Sequence, residues 1–316
     1  MRRSALTTLL LLAGGSAAAA LGASRSRDAA SPGGTTSASD STTAPPTART
    51  PRVERVRLAT GVTLQYAVQG DPSGTPVILL HGYSDSWLSF DRVLPLLPRT
   101  LHVFALSQRG HGDSERPPEG YSMESLAADV VAFMDAQSLP RAVVVGHSMG
   151  SFVAQQVAAT APRRVERLVL IGSATTPRAI MGVAELRGAV ESFGDSVPDE
   201  FIREFQWSTV NQAPPAAFME RAIAESRKMP PRVWQRIMSG MMAMDPPDAL
   251  LGVRIPTLLL WGERDAVFAG SEQQALLRRI PGSRLRAYPA VGHAPHWEVP
   301  LAFARDLERF VLSEGQ

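Results

Sequence analysis

The sequence has 316 residues, 44% hydrophobic and 20% charged, with a formal charge of +2 and a pI of about 9.4. Such a composition belongs to a globular chain able to bury a large core, and excludes a collagen-like or wholly disordered one. Cysteine is absent, which rules out disulfides, a thiol nucleophile, a Cys-ligated metal and a lipidated N-terminal cysteine; arginines alternate with acids instead of clustering, so no nucleic-acid surface is indicated.

Residues 1–23, MRRSALTTLLLLAGGSAAAALGA, read as a signal peptide: Arg2 and Arg3, an apolar run around Leu9–Leu12, then small residues suited to cleavage after Ala20 or Ala23. The paired arginines fit either the Sec or the twin-arginine route. An uncleaved anchor is the alternative, and the Gly14–Gly15 break suits it poorly, since a span needs about 20 apolar residues. The expectation is an exported protein, secreted or held in the cell envelope, with no stable membrane span after cleavage. Residues 24–52 are Ser, Thr, Ala, Pro and Gly with almost no large apolar side chain. They cannot offset the entropy of ordering and read as a disordered linker.

From Val53 the texture changes. VERVRLAT and TLQYAVQG alternate about Gly61 as an antiparallel hairpin does. Continuous apolar runs follow: PVILL (76–80), LHVFAL (101–106), AVVVG (142–146), RLVLIG (167–172) and TLLLWG (257–262). Runs of this length suit strands buried on both faces. Helical patterns lie between, over 123–136 and 149–160, so the chain alternates strand and helix around a mostly parallel sheet. Between Ser173 and Arg254 the alternation stops. There Phe201, Phe205 and Thr209, and again Val233, Ile237 and Met241, repeat at four, beside Trp207, Trp234 and a methionine cluster that includes Met238. This predicts an inserted helical cap over 176–250, whose soft side chains either pack together or line a pocket.

The strongest chemical signal is Gly146-His147-Ser148-Met149-Gly150. It follows the AVVV strand and opens the helical run MGSFVAQQVA, the setting of a nucleophile elbow; the competing reading is a helix N-cap serine. HGYSDSW (81–87), QRGHGDS (108–114), GHSMG (146–150), WGERD (261–265) and VGHAPHWEVP (291–300) follow one another in an order that resembles the α/β-hydrolase superfamily, in particular its capped esterases and cofactor-free haloperoxidases. The resemblance covers about 53–312. It implies an eight-stranded, mostly parallel sheet flanked by helices, built from 53–175 and 251–316, with the cap between.

What the resemblance implies for the site is a triad of Ser148, Asp265 and His293. His296 is a nearby competitor for the base, and Glu263 for the acid. The oxyanion donors would be the backbone N–H groups of Met149 and Tyr83, with His81 and Gly82 shaping the turn. Trp87, Trp207, Trp234 and Met238 are candidate pocket residues, Trp87 being equally readable as core. The QRGHGDS loop, where Ser107 replaces the aspartate of many relatives, is expected to support the oxyanion turn through Arg109 and Asp113, with His111 as a loop residue.

A serine at the elbow sets the chain apart from relatives that use aspartate there, such as dehalogenases and epoxide hydrolases. The expected activity is hydrolysis of small hydrophobic carboxylic esters through an acyl-enzyme, with no cofactor or metal. Lactonase, carbon–carbon hydrolase, amidase and perhydrolase chemistry remain open on the same residues. The alternative from another class is a hydrolase-like ligand receptor, which steady turnover, as opposed to one stoichiometric burst, would exclude. The expected partner is a small-molecule ester, and the oligomeric state is not readable.

Overall fold

A computed structural model describes residues 50–178, 180–252 and 254–313; the leader 1–23 and nearly all of the 24–52 linker lie outside them. The chain opens on the hairpin β1 (Arg52–Arg57) and β2 (Thr63–Gly70), which turns where Gly61 adopts φ 82°. The apolar runs then form β3 (Thr75–Leu80), β4 (Leu101–Ser107), β5 (Ala142–His147), β6 (Val165–Ile171), β7 (Thr257–Gly262) and β8 (Arg284–Tyr288). They make one eight-stranded sheet in the order β1-β2-β4-β3-β5-β6-β7-β8, and both pairings of β2 are antiparallel while every pairing from β4 to β8 is parallel.

The apolar runs are unbroken because both faces of the sheet are covered. On one face Val77, Leu79, Val103, Val145, Val169 and Leu260 join Phe90, Phe303 and Leu307 in one buried apolar cluster. Their alternates Ile78, Val144, Leu168 and Leu170 point to the opposite face and are equally buried. Helices α1 (Met123–Ala136) and α2 (Met149–Thr160) pack on each other. The edge strand β8 keeps Arg284 and Arg286 outward, a charged edge that discourages further strand pairing.

Between β6 and β7 come α3 (Met181–Glu191), α4 (Asp199–Ser208), α5 (Ala216–Arg227) and α6 (Pro231–Ala243), which form the cap. Helix α4 pairs with α5 and α3 with α6. Phe193, Phe201, Phe205 and Trp234 pack edge-to-face or stacked in its centre. After β7 the chain completes the layer with α7 (Gly270–Arg279), the single turn α8 (Pro295–Glu298) and α9 (Pro300–Leu312). No helix among the described residues is long and apolar enough to cross a membrane.

The order places the site. β4 and β5 flank β3 on opposite sides, so the crossover through α1 reverses the winding there. In open α/β sheets ligands bind at the carboxyl ends of strands at such a switch point. The turn after β3 and the turn after β5 therefore face one another.

Candidate active site

Ser148 stands between β5 and α2 with φ 50° and ψ −116°, a left-handed conformation that strains any residue with a Cβ. The turn is possible because the glycines two residues to either side of it lack side chains. A Cβ on Gly146 would meet Gly150 O at 2.2 Å, and one on Gly150 would meet Leu80 O at 2.4 Å and His81 O at 2.6 Å. The same close approach sets the start of α2 against the end of β3. Ser148 N donates to Ile171 O at 2.9 Å, which ties the elbow to β6. A serine at a helix start normally caps a backbone N–H with its hydroxyl; here Ser148 makes no such bond, so its Oγ is left available. Its position at the N-terminus of α2 favours negative charge nearby.

His293 arrives on the loop after β8, where its backbone N–H donates to Thr209 O at 2.9 Å at the end of α4. Its carbonyl lies 3.1 Å from His147 Nε2, and the two rings pack with centroids 4.9 Å apart. Thus His147, the residue just before Ser148, holds the histidine loop. Gly172, one residue beyond the Ile171 that binds Ser148 N, approaches so closely that a Cβ there would stand 2.9 Å from His293 Nδ1. His293 Nδ1 lies 2.9 Å from Asp265 Oδ2, and both side chains are buried. Asp265 in turn uses Oδ1 to accept from Val267 N at 2.8 Å and Phe268 N at 2.9 Å. A carboxylate so held accepts from Nδ1–H and leaves Nε2 free to take a proton. Phe268 covers the imidazole edge-to-face at 5.2 Å.

The competitors separate on geometry. His296 is fully buried between Phe90 and Trp297, with Nε2 on Ser89 Oγ at 3.1 Å, and burial holds its pKa well below the usual imidazole value. Glu263 is exposed. Glu298, which the sequence offered only as part of a pattern, accepts from Gly292 N at 2.8 Å, Gln212 N at 2.6 Å and Asn211 N at 3.1 Å, and so ties the histidine loop to the end of α4.

The turn after β3 is shaped by His81, whose Nδ1 lies 2.7 Å from Gly82 O and whose Nε2 accepts from Gln108 N at 3.0 Å. Gly82 has no room for a Cβ, which would sit 2.8 Å from His147 Nδ1. Tyr83 turns its ring away into the cap and donates its hydroxyl to Trp234 O at 2.6 Å. Met149 is fully buried behind the elbow.

The QRGHGDS loop supports the turn after β3 differently from the sequence expectation. Asp113 is at the surface, paired with Lys228 and Gln65, and Arg109 grips Asp129 on α1 with two 2.5 Å bonds. Support comes from Gln108, which also donates to His81 O at 2.9 Å, and from Ser107, whose Oγ accepts from Trp87 N at 3.2 Å. The serine in place of aspartate thus keeps an acceptor for that turn without burying a charge. His111 lies edge-on to His81, 4.7 Å between ring centroids, and burial holds its pKa well below the usual imidazole value.

Of the candidate pocket residues, Trp234 and Met238 are wholly inside the cap, Trp87 is half-buried between two core clusters, and Trp207 is 38% exposed on α4. Among the described residues no group of His, Asp or Glu is placed to hold a metal ion.

Comparison with known proteins agrees with this architecture. The family profile described as the alpha/beta hydrolase fold matches residues 75–236. A hydrolase from Pseudomonas aeruginosa PA01 is 28% identical, with a TM-score of 0.73 over 83% of this chain and 98% of that one. The esterase RhEst1 from Rhodococcus sp. ECU1013 is 27% identical, also with a TM-score of 0.73, over 83% and 99%. The AB hydrolase superfamily protein YfhM of Bacillus subtilis is 25% identical over 75% of this chain and 89% of its own length. The eight-stranded sheet with one antiparallel strand, the strained turn after β5 and the family match together establish that this chain belongs to the α/β-hydrolase fold family.

Proposed function

We propose that the protein is an exported serine hydrolase of small, neutral, hydrophobic carboxylic esters. Ser148 Oγ attacks the ester carbonyl while His293 Nε2 takes its proton, and the imidazolium then protonates the leaving alcohol. Asp265 fixes the tautomer and offsets the positive charge on the ring. The N–H groups of Tyr83 and Met149 receive the oxyanion, a role that depends on placement of the main chain alone. Water enters by the same proton relay and releases the acid, restoring Ser148.

One observation carries the reading. The strained, uncapped serine, the buried imidazole and its fixed carboxylate come from three separate loops to one end of the sheet, and no structural purpose accounts for that expenditure of strain. The apolar cap and the esterase named among the similar structures support an ester over a charged substrate. The test is hydrolysis of short p-nitrophenyl esters by purified protein. Ser148→Ala is expected to lower kcat by at least about a thousandfold; retention of activity would remove the mechanism. For export, the N-terminus of secreted material is expected between Leu21 and roughly Ser31, and an intact chain in the cytoplasm would contradict it.

A further inference from the structure

The turn that follows β3 is anchored on its outer side to the cap, three consecutive residues reaching three different helices. Tyr83 donates its hydroxyl to Trp234 O on α6 at 2.6 Å. Ser84 Oγ lies 3.3 Å from Ser226 Oγ on α5. Asp85 Oδ1 accepts from Gln206 Nε2 on α4 at 2.9 Å, and the same amide donates to Ser226 Oγ at 2.7 Å. All five side chains are at least nine-tenths buried.

Two features say that this contact is not idle packing. Ser84 holds φ 65°, an uncommon conformation for a non-glycine residue, and does so fully buried. Asp85 is a buried carboxyl with no cation bonded to it among the described residues; its Oδ2 accepts a long 3.4 Å bond from Ser89 Oγ, and the Gly82 backbone also hydrogen-bonds the carboxyl. Burial raises its pKa to about 7, with His293 close enough to pull the other way. An apolar side chain would fill the site at lower cost. The carboxyl is therefore retained for something other than stability, and the proposed reaction does not consume it.

We propose that Asp85 and Gln206 are a positioning pair. The cap-borne amide clamps the carboxyl that ends the turn, and so sets the Tyr83 N–H for the oxyanion. The seating of the cap then governs the chemical step and not only substrate access. This rests on the serine-hydrolase reading, because the group positioned is that reading's oxyanion donor.

The test is steady-state ester hydrolysis by the full chain, with circular dichroism and a thermal melt on each variant. Gln206→Met keeps the volume and removes the donor; kcat is expected to fall by about a hundredfold, near the cost of one oxyanion donor, with KM within about threefold. Asp85→Leu is expected to fall equally. Asp85→Asn keeps the accepting Oδ1 and is expected to stay within about fivefold of wild type. The double variant Asp85→Leu with Gln206→Met is expected to fall no further than either single one, since groups acting as a unit are not additive. A folded Gln206→Met with wild-type kcat would overturn the pair, as would Asn damaging as much as Leu, or losses that multiply in the double variant. Should Asp85→Leu fail to fold, Gln206→Met and Asp85→Asn still decide. Wild-type protein that turns over no ester would instead end the hydrolase reading, and the inference with it.

Discussion

Gly172→Ala crowds His293, the proposed base, without replacing any residue of the proposed triad. Gly172 closes β6 at φ 47°, and the added Cβ would stand 2.7 Å from His293 O, 2.9 Å from Nδ1 and 3.1 Å from Cε1. Relief of the first contact to an ordinary 3.4 Å needs a shift of about 0.7 Å. His293 has little freedom to make it. Its N–H is bonded to Thr209 O at 2.9 Å, its carbonyl lies 3.1 Å from His147 Nε2, and Nδ1 is 2.9 Å from Asp265. Either the ring shifts from its place or the bond to the Asp265 carboxylate stretches. A misplacement near 1 Å costs on the order of a hundredfold in rate. An alanine held in the left-handed region costs about 1–2 kcal/mol, a melting-temperature loss of a few degrees for a domain of this size. The expected outcome is kcat/KM for p-nitrophenyl butyrate about a hundredfold lower in a protein that still folds. Gly188→Ala on α3 is the control, because nothing lies within 4 Å of its Cβ, and it is expected to be fully active. A folded Gly172→Ala within twofold of wild type would refute the placement of His293.

Other perturbations test other parts of the account. Asp265→Asn leaves the imidazole a neutral partner and frees the wrong tautomer, so kcat is expected to fall by about 10³–10⁴ with KM little changed, read from the same assay. Asp85, raised by burial to about 7, binds its proton in the folded state before the unfolded one does, so its contribution to stability is present at low pH and is lost as pH rises through 7. Asp85→Asn is therefore expected to gain about 3 kcal/mol relative to wild type between pH 5 and pH 8, read as a widening difference in denaturation midpoint; a difference independent of pH would contradict this. His81 has the opposite sign: burial lowers it to about 4, so the unfolded state takes the proton first, and up to about 3 kcal/mol is lost as pH falls from 6.5 toward 4. Arg109→Leu strands the buried Asp129 carboxylate and is expected to cost about 3–5 kcal/mol in urea unfolding, whereas Arg187→Leu, at an exposed pair, costs under about 1 kcal/mol.

The frame of the fold is readable because β3, β5, β6 and β7 are covered on both faces, so burial writes itself as unbroken Val, Leu and Ile. The elbow is readable because steric crowding at Gly146 and Gly150 tolerates almost nothing else. What escapes notice is every contact made across the cap. Gln206 meets Asp85 over 121 residues of sequence, and Glu298 reaches Gln212 over 86, with no periodicity to announce either. Asp113 misleads for the same reason: its loop position suggests support for the turn, while Lys228 on the cap side draws it outward. His147 is conspicuous only as the variable residue of a motif, yet its ring seats the histidine loop. A carboxylate between two serines in a turn bounded by apolar residues, as at 84–86, is the local signal that could have exposed the Asp85 cluster.

The most direct measurement is labelling with a fluorophosphonate probe followed by intact-mass analysis and peptide mapping. One adduct per chain on Ser148 is expected, abolished in Ser148→Ala and slowed in Asp265→Asn, with ester hydrolysis lost in proportion to label. An adduct on any other residue, or an unlabelled Ser148 in protein that still hydrolyses esters, would contradict the account.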